Sequence, residues 1–144
     1  MHVTFALFAD AANVSQEGKL NILGVFDALQ VTTLPALHAR AHLVVRLKGT
    51  RSDAGSHVVE LRWLNPRGEM LWSSTGQIDI GAPPVDVSGM DLPMIASIDL
   101  PLDHAGTYAM EIGIDAQPHA SVNLQVRSQS DPGVMMAPAG AMFS

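Results

Sequence analysis

Apolar side chains recur at every second position over much of this chain, the period of a strand with one dry face and one wet face. The clearest stretch is 39–48, where Ala41, Leu43, Val45 and Leu47 share one face and Arg40, His42, Arg46 and Lys48 the other. Val59, Leu61 and Trp63 alternate with Glu60 and Arg62. After Asn65-Pro66-Arg67-Gly68, where proline sets φ and glycine closes the turn, the run 70–80 returns, so 57–80 reads as a hairpin. Met94, Ala96, Ile98 and Leu100 line one side of a strand over 93–100. Tyr108, Met110, Ile112 and Ile114 alternate with Ala109, Glu111, Gly113 and Asp115, and a turn at 116–118 leads to Val122, Leu124 and Val126. That predicts a second hairpin over 107–127. Near the N-terminus, 3–9 and 19–26 read as strands, with a bulge at Gly24. Gln30 to Thr33 continues the second strand past a kink, and Leu34-Pro35 ends it, since proline cannot donate to a ladder.

About eight strands, turns at regular spacing and no helical period predict an all-β fold. The expected architecture is a two-layer antiparallel β-sandwich, immunoglobulin-like or jelly-roll-like, over 1–127 with an extended C-terminal tail over 128–144. The run Leu100-Pro101-Leu102-Asp103-His104-Ala105-Gly106-Thr107-Tyr108 resembles a corner of many sandwiches, where a tyrosine two residues after a glycine bonds back to the preceding turn.

Composition narrows the class. The 144 residues suit one domain, large enough to hold a core without metal or disulfide. Hydrophobic residues are 47% and charged residues 15%, a low charge for a free surface and a hint that another chain covers part of it. There is no cysteine, hence no disulfide, thiolate zinc site or cysteine nucleophile. The N-terminus lacks a basic segment before its short apolar stretch, and no apolar run approaches the ~20 residues of a membrane helix. The expectation is a cytoplasmic protein that engages no membrane, with export by a signal-independent route left open.

Net charge is −6, unevenly spread. Residues 1–67 hold seven basic and five acidic side chains, a balance of +2; residues 68–144 hold one basic and nine acidic, a balance of −8. No concentrated basic surface with interleaved aromatics offers itself to phosphates, so no nucleic-acid partner is expected. The split reads either as two solvated faces or as complementarity between neighbouring copies, with Arg40, Arg46 and Lys48 as candidate contacts.

From Ser128 the chain changes character. A polar linker to Gly133 precedes Val134-Met135-Met136-Ala137-Pro138-Ala139-Gly140-Ala141-Met142-Phe143-Ser144, uncharged and with three methionines. Proline and glycine at a terminus suit a disordered tail. The apolar content suits a segment that seeks a groove, which makes Met135, Met136, Met142 and Phe143 candidate assembly contacts.

The opening Phe5-Ala6-Leu7-Phe8-Ala9-Asp10-Ala11-Ala12-Asn13-Val14-Ser15-Gln16-Glu17-Gly18-Lys19-Leu20-Asn21-Ile22-Leu23-Gly24-Val25-Phe26-Asp27 resembles the signature of a family of short, uncharacterised bacterial proteins. Gly106-Thr107-Tyr108 and Ile112-x-Ile114-Asp115 extend the resemblance over about 3–127. It implies a β-sandwich and no assigned activity.

Chemistry is sparse. Loop 10–18 offers Asp10, Asn13, Ser15 and Gln16, which can cap turns or form a binding loop at one end of the sandwich. His38 and His42 have the even spacing of one strand face, but zinc needs further ligands. Asp79, Asp86 and Asp91 lack the dense spacing of a calcium loop. Ser88 and Ser97 stand in no nucleophile elbow, and Asp99 and Glu111 are a weak carboxylate pair without sugar-stacking aromatics, Trp63 and Tyr108 reading as core. No cofactor is expected. Two functions remain: a non-catalytic structural or interaction module that self-associates through tail and sheet edges, with itself or another protein as partner, and a small-ligand or carbohydrate-binding sandwich using loops 10–18, 49–56 and 81–91.

Overall fold

A computed structural model of the chain describes residues 1–129. Nine strands build it: β1 (His2–Val14), β2 (Leu20–Phe26), β3 (Ala28–Val31), β4 (Ala36–Thr50), β5 (Gly55–Leu64), β6 (Met70–Ile80), β7 (Gly89–Leu102), β8 (Gly106–Ile114) and β9 (Gln117–Ser128), with a short 3-10 turn at Arg51–Asp53 between β4 and β5. They form a four-stranded sheet, β2-β1-β4-β7, and a five-stranded sheet, β3-β9-β8-β5-β6. The alternation read in the sequence is what packs them. Phe8, Leu43, Val45 and Leu47 of the first sheet meet Leu61, Trp63, Met110, Ile112 and Leu124 of the second in one core.

The centre of the larger sheet follows the immunoglobulin-like order rather than that of a jelly roll. β5 and β8 lie side by side, with Trp63 of β5 stacked on Tyr108 of β8 at 5.1 Å between ring centroids. Trp63 Nε1 donates to the Pro101 carbonyl at 2.9 Å.

Two expectations change here. Residues 28–31 do not prolong β2 but form a separate strand in the other sheet. The chain crosses at Asp27, whose carbonyl accepts the Gln125 N–H at 2.9 Å, and β3 then runs parallel to β9, the one pair that departs from the antiparallel pattern. Histidines 38 and 42 do not share a face. Arg40 has φ +59 and the β4–β7 register shifts between His38 and Ala41. This bulge adds one residue to β4 and reverses the alternation across it. His38 meets the Phe26 ring edge-on at 5.3 Å, within the sandwich, whereas His42 follows core-facing Ala41 and points outward.

Candidate functional site

The first hairpin carries the least ordinary surface. β1 pairs with β4 over its first part and with β2 from Phe8 to Val14. Asp10 and Asn13 are therefore strand residues, and the expected loop 10–18 shrinks to the turn Ser15–Gly18, because pairing with β2 satisfies the backbone up to Val14. Asn13 Oδ1 accepts from Asn21 Nδ2 across the ladder at 2.9 Å. Ser15 organises the turn: its N–H donates to the Lys19 carbonyl at 2.8 Å, its carbonyl accepts the Gly18 N–H at 2.9 Å, and its Oγ accepts the Lys19 N–H at 3.1 Å. Gln16 is exposed at the tip. Asp10 lies over Gly24, where φ is +71 and any Cβ would overlap the Asp10 carboxylate.

The hairpin does not continue straight. Ile22 pairs with Ala12, seven residues along β1 from Phe5 and so about 23 Å away in a flat strand. Yet Phe5, Arg46, Asp91 and Pro93 form one wall of a cleft of about 390 Å³ whose other wall is Gly18, Lys19, Leu20 and Ile22. The hairpin thus bends back as an arm over the outer face of the four-stranded sheet. Ala9 and Val44 are fully buried although neither belongs to the core between the sheets.

The arm leaves apolar side chains in water. β2 pairs with β1 alone and forms one edge of its sheet. Leu23 is 71% exposed and Val25 59%, opposite Ala11 and Ala9 on the same arm face. A row of exposed aliphatics on an edge strand is a surface that soluble proteins ordinarily avoid.

Two of the three expected cationic contacts, Arg46 and Lys48, pair within the chain. Arg46 Nη2 lies 3.0 Å from Asp91 Oδ2 and Lys48 Nζ 3.6 Å from Asp91 Oδ1. For Arg40 the bonded group is the backbone N–H, which donates to Asp99 Oδ1 at 3.0 Å. Because β4, from the basic half of the sequence, pairs with β7, from the acidic half, the charge split along the chain does not become a split between faces. Met135, Met136, Met142 and Phe143 lie outside the described residues.

The two ends of the sandwich carry polar clusters. At one end Arg51 joins two of the expected binding loops: Nη1 donates to the Pro83 carbonyl at 3.1 Å and Nη2 to that of Pro84 at 2.7 Å. Beside it, His57 Nδ1 lies 2.6 Å from Asp115 Oδ2 and Nε2 lies 2.6 Å from the Asp53 carbonyl. Both partners are acceptors and a neutral imidazole has one N–H, so this arrangement holds the imidazolium. The hydrogen bond to Asp115, then that to the Asp53 carbonyl, raise the His57 pKa, while the same His57 bond lowers that of Asp115. The backbone N–H of Thr50 lowers the Asp53 pKa, with help from the Met1 amine 3.3 Å away. Nothing in the sequence marked His57 or Arg51, because their partners are brought by the fold.

At the other end the tyrosine corner forms as the sequence motif implies. Tyr108 Oη accepts the N–H groups of Asp103 and His104, each at 2.8 Å, and lies 2.8 Å from Asp103 Oδ1 and 2.7 Å from the His104 carbonyl. Burial of the phenol pushes its pKa up to about 12. Asn65, 3% exposed, donates to Asp103 Oδ2 at 2.8 Å and accepts the Arg67 and Glu69 N–H groups at 2.9 Å. Burial works against ionisation of Asp103, but hydrogen bonds from Asn65, Tyr108 and His104 outweigh it and leave the pKa lowered. This cluster is architectural: its polar atoms are spent on one another.

Other constellations do not assemble. Asp99 and Glu111 are in different sheets, and Glu111 pairs with Arg62 at 3.5 Å beside a depression of about 550 Å³ on the outer face of the larger sheet. Among the described residues no three His, Cys, Asp or Glu side chains gather as a metal site, and no helix is long and apolar enough to cross a membrane.

Residues 4–127 match the model of DUF6941, a family of unknown function. The chain belongs to this family. The match spans nearly the whole sandwich, including both strands of the arm and the tyrosine corner. The apolar segment after Gly133 falls outside the DUF6941 match. No curated protein is significantly similar to this DUF6941 chain.

Proposed function

We propose that this DUF6941 chain is a non-catalytic interaction module that associates with copies of itself through the β1–β2 arm. One observation carries the reading: Leu23 and Val25 stand exposed on an edge strand whose outer side pairs with nothing among the described residues. Each such side chain returns roughly 1.5–3 kcal/mol when fully buried. The low charged fraction of 15% points the same way. A reducing compartment such as the cytoplasm suits a chain without cysteine.

Light scattering over a concentration series tests it. Wild-type mass should climb above the 15.3 kDa of one chain, and the double substitution Leu23→Lys, Val25→Lys should hold it there. A wild type that stays at 15.3 kDa up to hundreds of micromolar sinks the proposal. The cleft under the arm favours a second reading, a small-ligand site. Its volume lies within the ~300–1,000 Å³ range of ligand pockets, and Phe5, Leu20 and Ile22 give it apolar walls beside Arg46. A thermal-shift screen in which no sugar, nucleotide or small carboxylate raises Tm counts against that reading.

A further inference from the structure

We infer that residues 134–144 of one copy dock on the Leu23 and Val25 strip of a neighbouring copy, reciprocally, so that each arm holds its neighbour's C-terminal segment. This rests on the self-association reading and names the surface that meets the strip.

The position of the chain end supports it. The Gln129 N–H donates to the Val31 carbonyl of β3 at 2.9 Å. β3 follows β2 after the single residue Asp27, so the C-terminal segment departs from the same edge of the sandwich that carries the arm. Fifteen residues follow Gln129, up to about 50 Å of extended chain, ample to reach a second molecule.

Chemistry supports it too. From Pro132 to Ser144 no residue is charged, and Val134, Met135, Met136, Met142 and Phe143 are large and apolar. Such side chains gain by leaving water, and unbranched methionine conforms to a shallow surface. Area decides between partners. Leu23, Val25 and Ala11 set strip against strip would bury no more than a few hundred Å² per copy, short of the roughly 800 Å² per partner of a stable interface. Two reciprocal apolar segments supply the missing surface, whereas a segment folded onto its own arm would join no copies at all.

The test uses full-length chains. A strip variant carries Leu23→Lys and Val25→Lys; a tail variant carries Met136→Asp, Met142→Asp and Phe143→Asp. The first changes exposed side chains and the second positions outside the described residues, so far-UV circular dichroism should match wild type and certify the fold. Native mass spectrometry and light scattering read the outcome. Each variant alone should stay at 15.3 kDa, its self-association at least tenfold weaker than wild type. Mixed, they should form a one-to-one complex, weaker than the wild-type dimer but tighter than either variant with itself, because the tail variant's strip and the strip variant's tail restore one of the two reciprocal contacts. A tail variant that associates like wild type overturns the inference and leaves the self-association reading standing. Two variants whose mixture associates no more tightly than either variant alone, up to hundreds of micromolar, also overturn it. A wild type that stays monomeric overturns both.

Discussion

Replacing Tyr108 with phenylalanine removes a single oxygen from the corner between β7 and β8. The ring survives, and with it the stacking on Trp63 at 5.1 Å. What disappears is one acceptor for the Asp103 and His104 N–H groups, each at 2.8 Å, and one donor shared between Asp103 Oδ1 and the His104 carbonyl. A stranded donor costs about 1–3 kcal/mol, and both residues are partly exposed, so water reaches them and the low end applies: about 1 kcal/mol each. The lost donated bond adds about 1 kcal/mol, for a total near 3 kcal/mol. For a domain of this size that is a fall in Tm of roughly 10 °C. Urea titration followed by tryptophan fluorescence reads it as a lower midpoint at unchanged slope. A loss below about 0.5 kcal/mol would mean that the corner is fully hydrated in the variant and refute the reasoning. The wild type offers an independent check, because Tyr108 is the only tyrosine in the chain. Its phenolate absorbance should appear near pH 12 rather than 10.

Other consequences are equally direct. Gly24→Ala forces a Cβ into the Asp10 carboxylate at φ +71 and should destabilise by more than the ~1–2 kcal/mol of left-handed backbone alone; adding Asp10→Ala should recover only the overlap, and full recovery in a urea melt would disprove the backbone part. The raised pKa of His57 means its contribution is complete below the unfolded value of 6.5 and fades as pH rises through the folded one. Urea midpoints between pH 5.5 and 9 should therefore fall for wild type more than for His57→Gln, and parallel curves would refute the doubly bonded imidazolium. Asp53, Asp103 and Asp115 have lowered pKa values, so their contributions are present above the unfolded value of 3.8 and are lost as pH falls through the folded ones. Asp103→Asn should shrink the acid-side slope in the same melts.

Period-two alternation alone determined which side chains are buried: Ala41, Leu43, Val45 and Leu47, and Tyr108, Met110, Ile112 and Ile114, form the core. It could do so because a strand's two faces are set by residue parity, a local property. Turn chemistry was legible for the same reason, at Asn65 to Gly68 and at the corner that ends on Tyr108. Sheet membership was not local. Whether 28–31 prolonged β2 or crossed to β9 depended on partners about a hundred residues away. The left-handed Arg40 reversed parity within an otherwise regular strand and separated His38 from His42. The arm's return toward Phe5 was invisible, since Ala9, Ala11, Leu23 and Val25 read alike whether they face a neighbouring sheet or water. Tertiary structure alone decided that Ala9 is covered while Leu23 and Val25 are not. Composition marked the uncharged residues 134–144 as either a disordered tail or a segment that seeks a groove; that Leu23 and Val25 form an exposed strip on an edge strand was decided by the fold.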